Sequence, residues 1–184
     1  MKKNKLHQFT LILKNVNENT PDLEDSLYEA GCDDALINFR NNAVFLDFDR
    51  TANSFEEAII SAIKAVEASS VKAVVTSVAP EDLVTMSEAA KRINKTRQIL
   101  FLWIREERRR SSDMPFPQPT MKLTDRSPLW KWREIVEWLY FHNLVQEKEL
   151  IDRAVFIENL NAVLDERDSG VRKLRKILLE RITK

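Results

Sequence analysis

The chain has 184 residues, of which 43% are hydrophobic and 8% aromatic, and its 29 basic and 29 acidic residues give a net charge of zero. This composition is sufficient for a hydrophobic core and predicts a soluble globular protein of one large or two to three small domains. It excludes a membrane-spanning helix, because no stretch approaches the roughly 20 apolar residues that a bilayer requires. No signal peptide is apparent and the single cysteine, Cys32, excludes an internal disulfide, so we expect a cytoplasmic protein.

The charge is distributed unevenly along the chain. Residues 1–84 hold 8 basic and 14 acidic residues, a net charge of −6, whereas residues 85–140 hold 12 and 7, a net charge of +5. Residues 141–184 hold 9 and 8, and six of those basic residues lie in the last 15 positions with only Glu180 against them. The central segment therefore carries the positive charge that nucleic-acid-binding regions have.

Residues 1–80 are predicted to alternate short strands and helices. The expected elements are a strand at 9–13, a helix at 22–30, strands at 35–39 and 43–49, a helix at 54–66 and a strand at 71–78. Gly31 is a natural helix stop, and Ser54 with Glu57 forms a helix-starting capping box. This order predicts a ferredoxin-like βαββαβ module, one antiparallel sheet with both helices on one face, and does not by itself indicate a function.

The acidic residues of this module suggest a metal site as one interpretation. Asp47 and Asp49 lie two apart on a strand and would share a face, where they could hold a divalent cation with Asp33 or Asp34. The simpler interpretation is that alternate positions of an antiparallel strand face solvent. Since no set of residues assembles a catalytic site either, we expect no metal, no cofactor and no enzymatic activity.

Residues 81–141 are predicted to form a second domain that begins with a pair of helices. Thr85 with Glu88 three residues later predicts a capped helix start. Asn94 tolerates the left-handed conformation that ends a helix, and Thr96 is placed to cap the next helix. The short connection has the spacing of a helix-turn-helix.

The start of the second helix carries candidate DNA contacts. Thr96, Arg97 and Gln98 would project from its N-terminal end, where recognition helices meet base edges. Arginine can bond guanine and glutamine can bond adenine through two hydrogen bonds each, so we expect these three residues to contact bases. A capped helix pair is also common in proteins that never bind DNA, so the spacing alone leaves both interpretations open.

A basic, proline-rich segment follows the second helix. Prolines at 115, 117 and 119 force an extended path, and residues 122–132 have the composition of a wing that contains Trp130 and Trp132. A final helix starts near Glu134. The predicted phosphate contacts are Lys95, Arg105, Arg108, Arg109, Arg110, Lys122, Arg126 and Lys131.

This central segment resembles the MerR/excisionase-type winged-helix family over about a third of the chain. The residues that carry the resemblance are Thr96, Arg97, Trp103, Phe116, Pro117, Pro119, Trp130, Trp132, Trp138 and Leu139. The resemblance implies a winged helix-turn-helix that binds double-stranded DNA. The stretches at 29–35 and 44–50 also resemble the leading part of bacterial helix-turn-helix proteins of undescribed role.

Three features depart from the family pattern. Asn94 replaces the usual turn glycine, and Arg133 stands where a serine commonly caps the final helix. Phe101 and Leu102 occupy the outer face of the second helix, where polar residues are usual. They could contact thymine methyl groups or pack against a protein partner, and both interpretations remain open.

The last predicted segment, 142–184, is a helical hairpin. Apolar residues recur at helical spacing over 147–164 and again over 171–182, with a break at 168–170. So apolar a hairpin needs a second surface to cover it, either this chain or a second copy. We expect a homodimer, because two-fold symmetry gives winged-helix proteins affinity and half-site spacing.

Together these features predict an α+β protein that is a sequence-specific, DNA-binding transcriptional regulator. The alternatives are a protein-interaction module, such as an adaptor or antitoxin-like protein with a vestigial helix-turn-helix, and an excisionase-like protein that bends DNA.

Overall fold

The structure, a computed structural model, describes residues 4–80, 82–110, 114–167 and 169–183, with 107–110 and 169 described as backbone only. The described chain is mixed α and β, with seven helices, a four-stranded antiparallel sheet and a two-stranded sheet. It divides into two compact units, one made of Met1–Pro80 with Asn159–Lys184 and the other of Glu81–Glu158. The segment 142–184 is thus shared between the two units. Among the described helices, none combines the length and apolar character that crossing a membrane requires.

The first unit contains the six elements predicted for residues 1–80, in the predicted order. They are β1 (Lys5–Lys14), α1 (Leu23–Glu29), β2 (Ala35–Arg40), β3 (Ala43–Ala52), α2 (Phe55–Ala68) and β4 (Val74–Ala79). The strands lie in the order β2-β3-β1-β4, and all neighbouring strands are antiparallel. The two strands at the centre of the sheet are therefore β1 and β3.

Alternation of apolar and polar residues places one side of these strands in the core. Phe9 and Leu11 of β1 and Leu46 and Phe48 of β3 are buried, and the rings of Phe9 and Phe48 stack 5.2 Å apart. Helix α2 adds a continuous buried stripe that includes Ile59. The period of two in the strands and of 3.6 in the helix explains why the sequence predicts these elements well.

Asp47 and Asp49 lie on the exposed side of β3, and neighbouring polar side chains satisfy them. Thr10 Oγ1 donates to Asp47 over 2.5 Å and Asn38 Nδ2 over 2.9 Å, and Gln8 Nε2 donates to Asp49 over 2.8 Å. In the described part of the chain no three His, Cys, Asp or Glu side chains converge as metal ligands do. The cross-strand pairs account for both carboxylates without an ion.

The loop between α1 and β2 is held by an ion pair. Arg50 of β3 donates to Asp34 through Nε and Nη2, both over 2.7 Å, and also donates through Nη2 to the Gly31 carbonyl over 2.6 Å. The Arg50 side chain is 11% exposed and that of Asp34 27%. Cys32 is buried beside them, and burial is the main cause that raises its thiol pKa to about 11, with Asp34 and Asp33 adding to the effect and Arg50 opposing it. The thiol is therefore protonated at neutral pH.

The end of the chain closes the β4 edge of the sheet. Helices α6 (Lys148–Glu166) and α7 (Ser169–Ile182) are the last two elements, and α6 begins in the second unit and ends in the first. The Asn161 side chain accepts from the Val78 N–H over 2.8 Å and donates to the Val78 carbonyl over 3.0 Å. Arg167 makes two hydrogen bonds, of 2.8 and 2.6 Å, to Glu67. The Asn161 side chain thus satisfies both backbone groups of Val78, which an edge strand could leave unpaired.

The second unit is built from short strands and four helical segments. Its elements are β5 (Leu83–Val84), α3 (Met86–Arg92), α4 (Arg97–Arg110), β6 (Trp130–Lys131), α5 (Trp132–Phe141) and the first part of α6. Strand β5 pairs antiparallel with β6. Trp130 lies in β6 but Trp132 does not, because α5 begins at Trp132, two residues before the predicted start near Glu134.

Candidate functional site

The helix pair α3 and α4 has the local structure that its capping residues predict. The Thr85 N–H donates to Glu88 Oε2 over 2.7 Å and the Glu88 N–H donates to Thr85 Oγ1 over 3.2 Å, so the predicted capping box is present. Asn94 has a φ of 53°, in the left-handed region that asparagine tolerates. The Ile99 N–H donates to Thr96 Oγ1 over 3.3 Å, so Thr96 caps α4. The four-residue connection is therefore specified almost entirely by local hydrogen bonds.

One face of α4 joins the core of the second unit. Leu100 and Ile104 are buried there, and Trp103 packs against the same core from its edge. Ala89 and Ala90 of α3 are buried in this core too, and their small side chains allow the two helices to approach closely. The opposite face of α4 is consequently directed to solvent.

The exposed face of α4 contains the residues that the sequence analysis assigns to base contacts. Thr96, Arg97 and Gln98 are all exposed. Phe101 and Leu102 follow on the same side of the helix and are 47% and 55% exposed. The Arg97 guanidinium carbon lies 5.2 Å from the centre of the Phe101 ring, so the charged group of Arg97 contacts an aromatic side chain one helical turn further along α4. Phe101 therefore has a partner within its own helix.

The predicted phosphate contacts fall into three groups. Lys95, Arg105, Lys122 and Arg126 are exposed, and none has a carboxylate partner in the described part of the chain. The side chains of Arg108, Arg109 and Arg110 lie outside the described residues. Lys131 differs from the others, since its Nζ lies 2.9 Å from Glu158 Oε1. The charge of Lys131 is thus balanced within the protein, whereas the first group carries free positive charge.

Glu158 of α6 forms ion pairs with two basic side chains at once. It accepts from Lys131 Nζ and, over 2.5 Å, from Arg133 Nε, and Arg133 also lies 3.4 Å from Glu137. Burial by itself raises the pKa of Glu158, but the hydrogen bond from Lys131 and the charges of Arg133 and Lys131 outweigh it and lower the pKa below its ordinary value of 4.5. Arg133 therefore connects α5 to α6.

This lowered pKa predicts a pH-dependent stability. A carboxyl group whose pKa is lower in the folded than in the unfolded chain stabilises the fold above about pH 4.5, and this contribution disappears as the pH falls through the folded-state pKa. We expect Glu158→Gln to lower the free energy of unfolding by about 1 kcal/mol at pH 7, because both cations are about one-third exposed. Urea titrations from pH 7 to pH 3 should show that the difference in free energy of unfolding between the wild type and Glu158→Gln disappears below about pH 4.5. Glu147→Gln, at an exposed position, is the control, and a difference that persists at pH 3 would contradict the assignment.

The segment between α4 and β6 is anchored by two tryptophans. Trp138 Nε1 donates to the Met114 carbonyl over 3.1 Å, and Trp130 Nε1 donates to the Pro117 carbonyl over 3.2 Å. Further along, Met121 and Leu129 form an isolated antiparallel bridge. Residues 122–128, which include Lys122 and Arg126, therefore form a hairpin-like loop beside the helix pair.

An apolar groove of about 650 Å³ lies between α4 and this proline-rich segment. Phe101 and Leu102 line one side and Phe116, Pro117 and Pro119 the other, with Gln98, Arg105 and Trp130 also at its walls. The groove therefore brings exposed apolar and polar side chains together beside the N-terminal half of α4.

Two features of the second unit were not predicted from the sequence. The stack of Arg97 on Phe101 has a sequence signal, because arginine and phenylalanine four residues apart on a helix are neighbours. The partnership of Lys131 and Arg133 with Glu158 has none, since 27 and 25 residues separate them. Comparisons with protein-family models, with curated proteins and with solved structures find no match to this chain.

Proposed function

We propose that the protein is a sequence-specific DNA-binding regulator of transcription that binds duplex DNA through its second unit. The observation that supports this best is the free positive charge around α4. Lys95 and Arg97 lie at its start, Arg105 on its exposed side, and Lys122 and Arg126 on the adjacent loop, and no carboxylate pairs with them in the described residues. Such a concentration of unpaired cations favours a polyanionic ligand.

We further propose a finer description of both units. The strand order β2-β3-β1-β4 with two intervening helices is that of a ferredoxin-like module. In the second unit, the capped helix pair, the bridged loop at 122–128 and the pairing of β5 with β6 support a winged helix-turn-helix of the MerR/excisionase type. The resemblance of the central sequence to that family supports the same arrangement.

In this proposal the N-terminal half of α4 enters a major groove. Gln98 is exposed and suited to bonding adenine through two hydrogen bonds. The Thr96 hydroxyl accepts the helix-capping bond and keeps its own proton for a base acceptor. Lys95, Arg105, Lys122 and Arg126 would contact backbone phosphates, which position the helix but carry no sequence information.

We also propose a homodimer formed through α7. Its apolar side chains Leu174, Leu178 and Ile182 are exposed and recur at helical spacing, so they form a stripe. An identical stripe on a second copy satisfies the self-complementarity that a two-fold interface needs. Light scattering should give twice the mass of the chain, and a bound DNA site should contain two inverted half-sites.

The test of the DNA-binding function is selection from random duplexes followed by anisotropy titration over a salt series. We expect a recovered motif whose affinity falls with salt by about 0.9 log units per log unit for each phosphate contact. Gln98→Ala should weaken binding to the motif about 5- to 150-fold, the effect of one base contact of about 1 to 3 kcal/mol, and leave binding to unrelated duplexes unchanged. An equal loss on all duplexes would contradict base reading by Gln98, and no retention at low salt would overturn the DNA-binding function.

The groove beside α4 supports a second candidate, a protein-interaction module. Its exposed Phe101 and Leu102 are unusual for a surface that meets only DNA. Replacing both residues with serine distinguishes the two functions. If DNA affinity is kept within about twofold while solubility improves, the pair belongs to a protein-binding surface. If DNA affinity falls more than tenfold without loss of thermal stability, the pair serves DNA binding, by contact with the groove or by the contact of Phe101 with Arg97.

A further inference from the structure

A small recess separates the start of α4 from the loop at 122–128, and two arginines reach it. The recess measures about 70 Å³ and is lined by Arg97 and Phe101 of α4 and by Arg126, Ser127 and Trp130 from the loop and β6, with Ser87 of α3 at its side. None of the described side chains that line it is acidic. Two arginines and no carboxylate among the described residues that line the recess give it a positive potential, which favours an anion.

Neither arginine has a carboxylate partner in the described part of the chain. The Arg97 guanidinium carbon lies 5.2 Å from the centre of the Phe101 ring, a contact that uses none of the N–H donors of Arg97 in a hydrogen bond to a carboxylate. Arg126 is exposed and has no ion pair in the described residues. Planar guanidinium groups bind phosphate oxygens through two parallel hydrogen bonds, and the serine hydroxyls beside them supply further donors.

We propose that this recess binds one phosphate group of the DNA backbone, shared by Arg97 and Arg126. The inference rests on the proposed DNA-binding function and deepens it, since it assigns Arg97 to a phosphate rather than to a base. A single phosphate held from both sides joins the recognition helix to the loop and fixes the register of α4 on one DNA strand. With Arg97 on a phosphate, sequence selection at the start of α4 falls to the exposed Gln98.

The test compares Arg97→Ala, Arg126→Ala and the double variant on an unrelated duplex, by anisotropy over a salt series. We expect each single variant to lose about tenfold in affinity, as for a hydrogen bond to a charged group. The double variant should lose far less than hundredfold, because both side chains serve one phosphate. The salt slope should fall by about 0.9 in the double variant. Arg40→Ala, which removes an exposed arginine of β2, is the control and should leave affinity within about twofold.

A second arm titrates inorganic phosphate while tryptophan fluorescence is recorded, since Trp130 lines the recess. An arginine-dependent change without any DNA binding would support the recess as a phosphate site and overturn the DNA-binding function. DNA binding in which Arg97→Ala alters only sequence preference, with an unchanged salt slope, would overturn the shared phosphate and leave the function standing. If the loss of affinity in the double variant equals the product of the two single losses, the shared phosphate is also overturned. If the protein binds neither DNA nor inorganic phosphate, both the phosphate recess and the DNA-binding function are overturned.

Discussion

Trp138→Ala is expected to destabilise the second unit by about 3 to 5 kcal/mol, the usual cost of replacing a buried aromatic side chain by alanine. Trp138 is completely buried, and its Nε1 donates to the Met114 carbonyl. Its ring packs edge-to-face with the Phe116 ring, with 5.0 Å between the ring centres. The variant loses this packing, leaves a cavity and removes one hydrogen bond that anchors the proline-rich segment. For a unit of this size the melting temperature should fall by at least about 12 °C.

Tryptophan fluorescence reports the thermal unfolding of the second unit specifically. All four tryptophans of the chain lie in the second unit, so Trp103, Trp130 and Trp132 remain as reporters in the variant. Tyr140→Ala is the matched control, because Tyr140 is on the same helix but 40% exposed, and its cost should stay within about 1 kcal/mol. Equal decreases in melting temperature for Trp138→Ala and Tyr140→Ala would show that the core of the second unit does not depend on Trp138.

Arg50→Ala is expected to destabilise the first unit by about 2 to 3 kcal/mol. The substitution leaves the partly buried Asp34 without its two hydrogen bonds and the Gly31 carbonyl without its donor. Breaking a buried pair by removing one partner costs more than the pair contributes, because the remaining charge stays desolvated. Arg50→Lys should recover only part of the loss, since an ammonium group cannot make the paired contact.

Labelling of Cys32 with iodoacetamide at pH 8 measures the opening of this unit. A loss of 2 to 3 kcal/mol corresponds to a roughly 30- to 150-fold faster reaction through the open form. The charge of Arg50 lowers the pKa of Cys32, so removing it would by itself slow the reaction, and acceleration can only come from opening. Lys64→Ala, an exposed cation of α2, should label at the wild-type rate. Wild-type labelling of Arg50→Ala would refute the structural role of the pair.

Much of the local structure was predictable from short stretches of sequence. The capping box of Thr85 and Glu88, the left-handed Asn94 and the cap at Thr96 each depend on residues within about four positions of one another. The alternation that buries Phe48 and exposes Asp47 likewise follows from strand geometry alone. Such features are formed by near neighbours, whose relative positions the backbone geometry determines.

The sequence by itself determined the order of strands and helices in the first unit, the exposed position of Thr96, Arg97 and Gln98, and the apolar faces of α4 and α5. Only the tertiary structure decided which charges are balanced and which remain free. Lys131 pairs with Glu158, 27 residues away, and Arg167 pairs with Glu67, 100 residues away. Arg97 and Arg126, in contrast, line one recess in which none of the described residues is a carboxylate. The attraction between two charges weakens with distance, so an ion pair forms only where packing brings distant segments within a few ångströms. Local patterns of charge in the sequence do not contain this information.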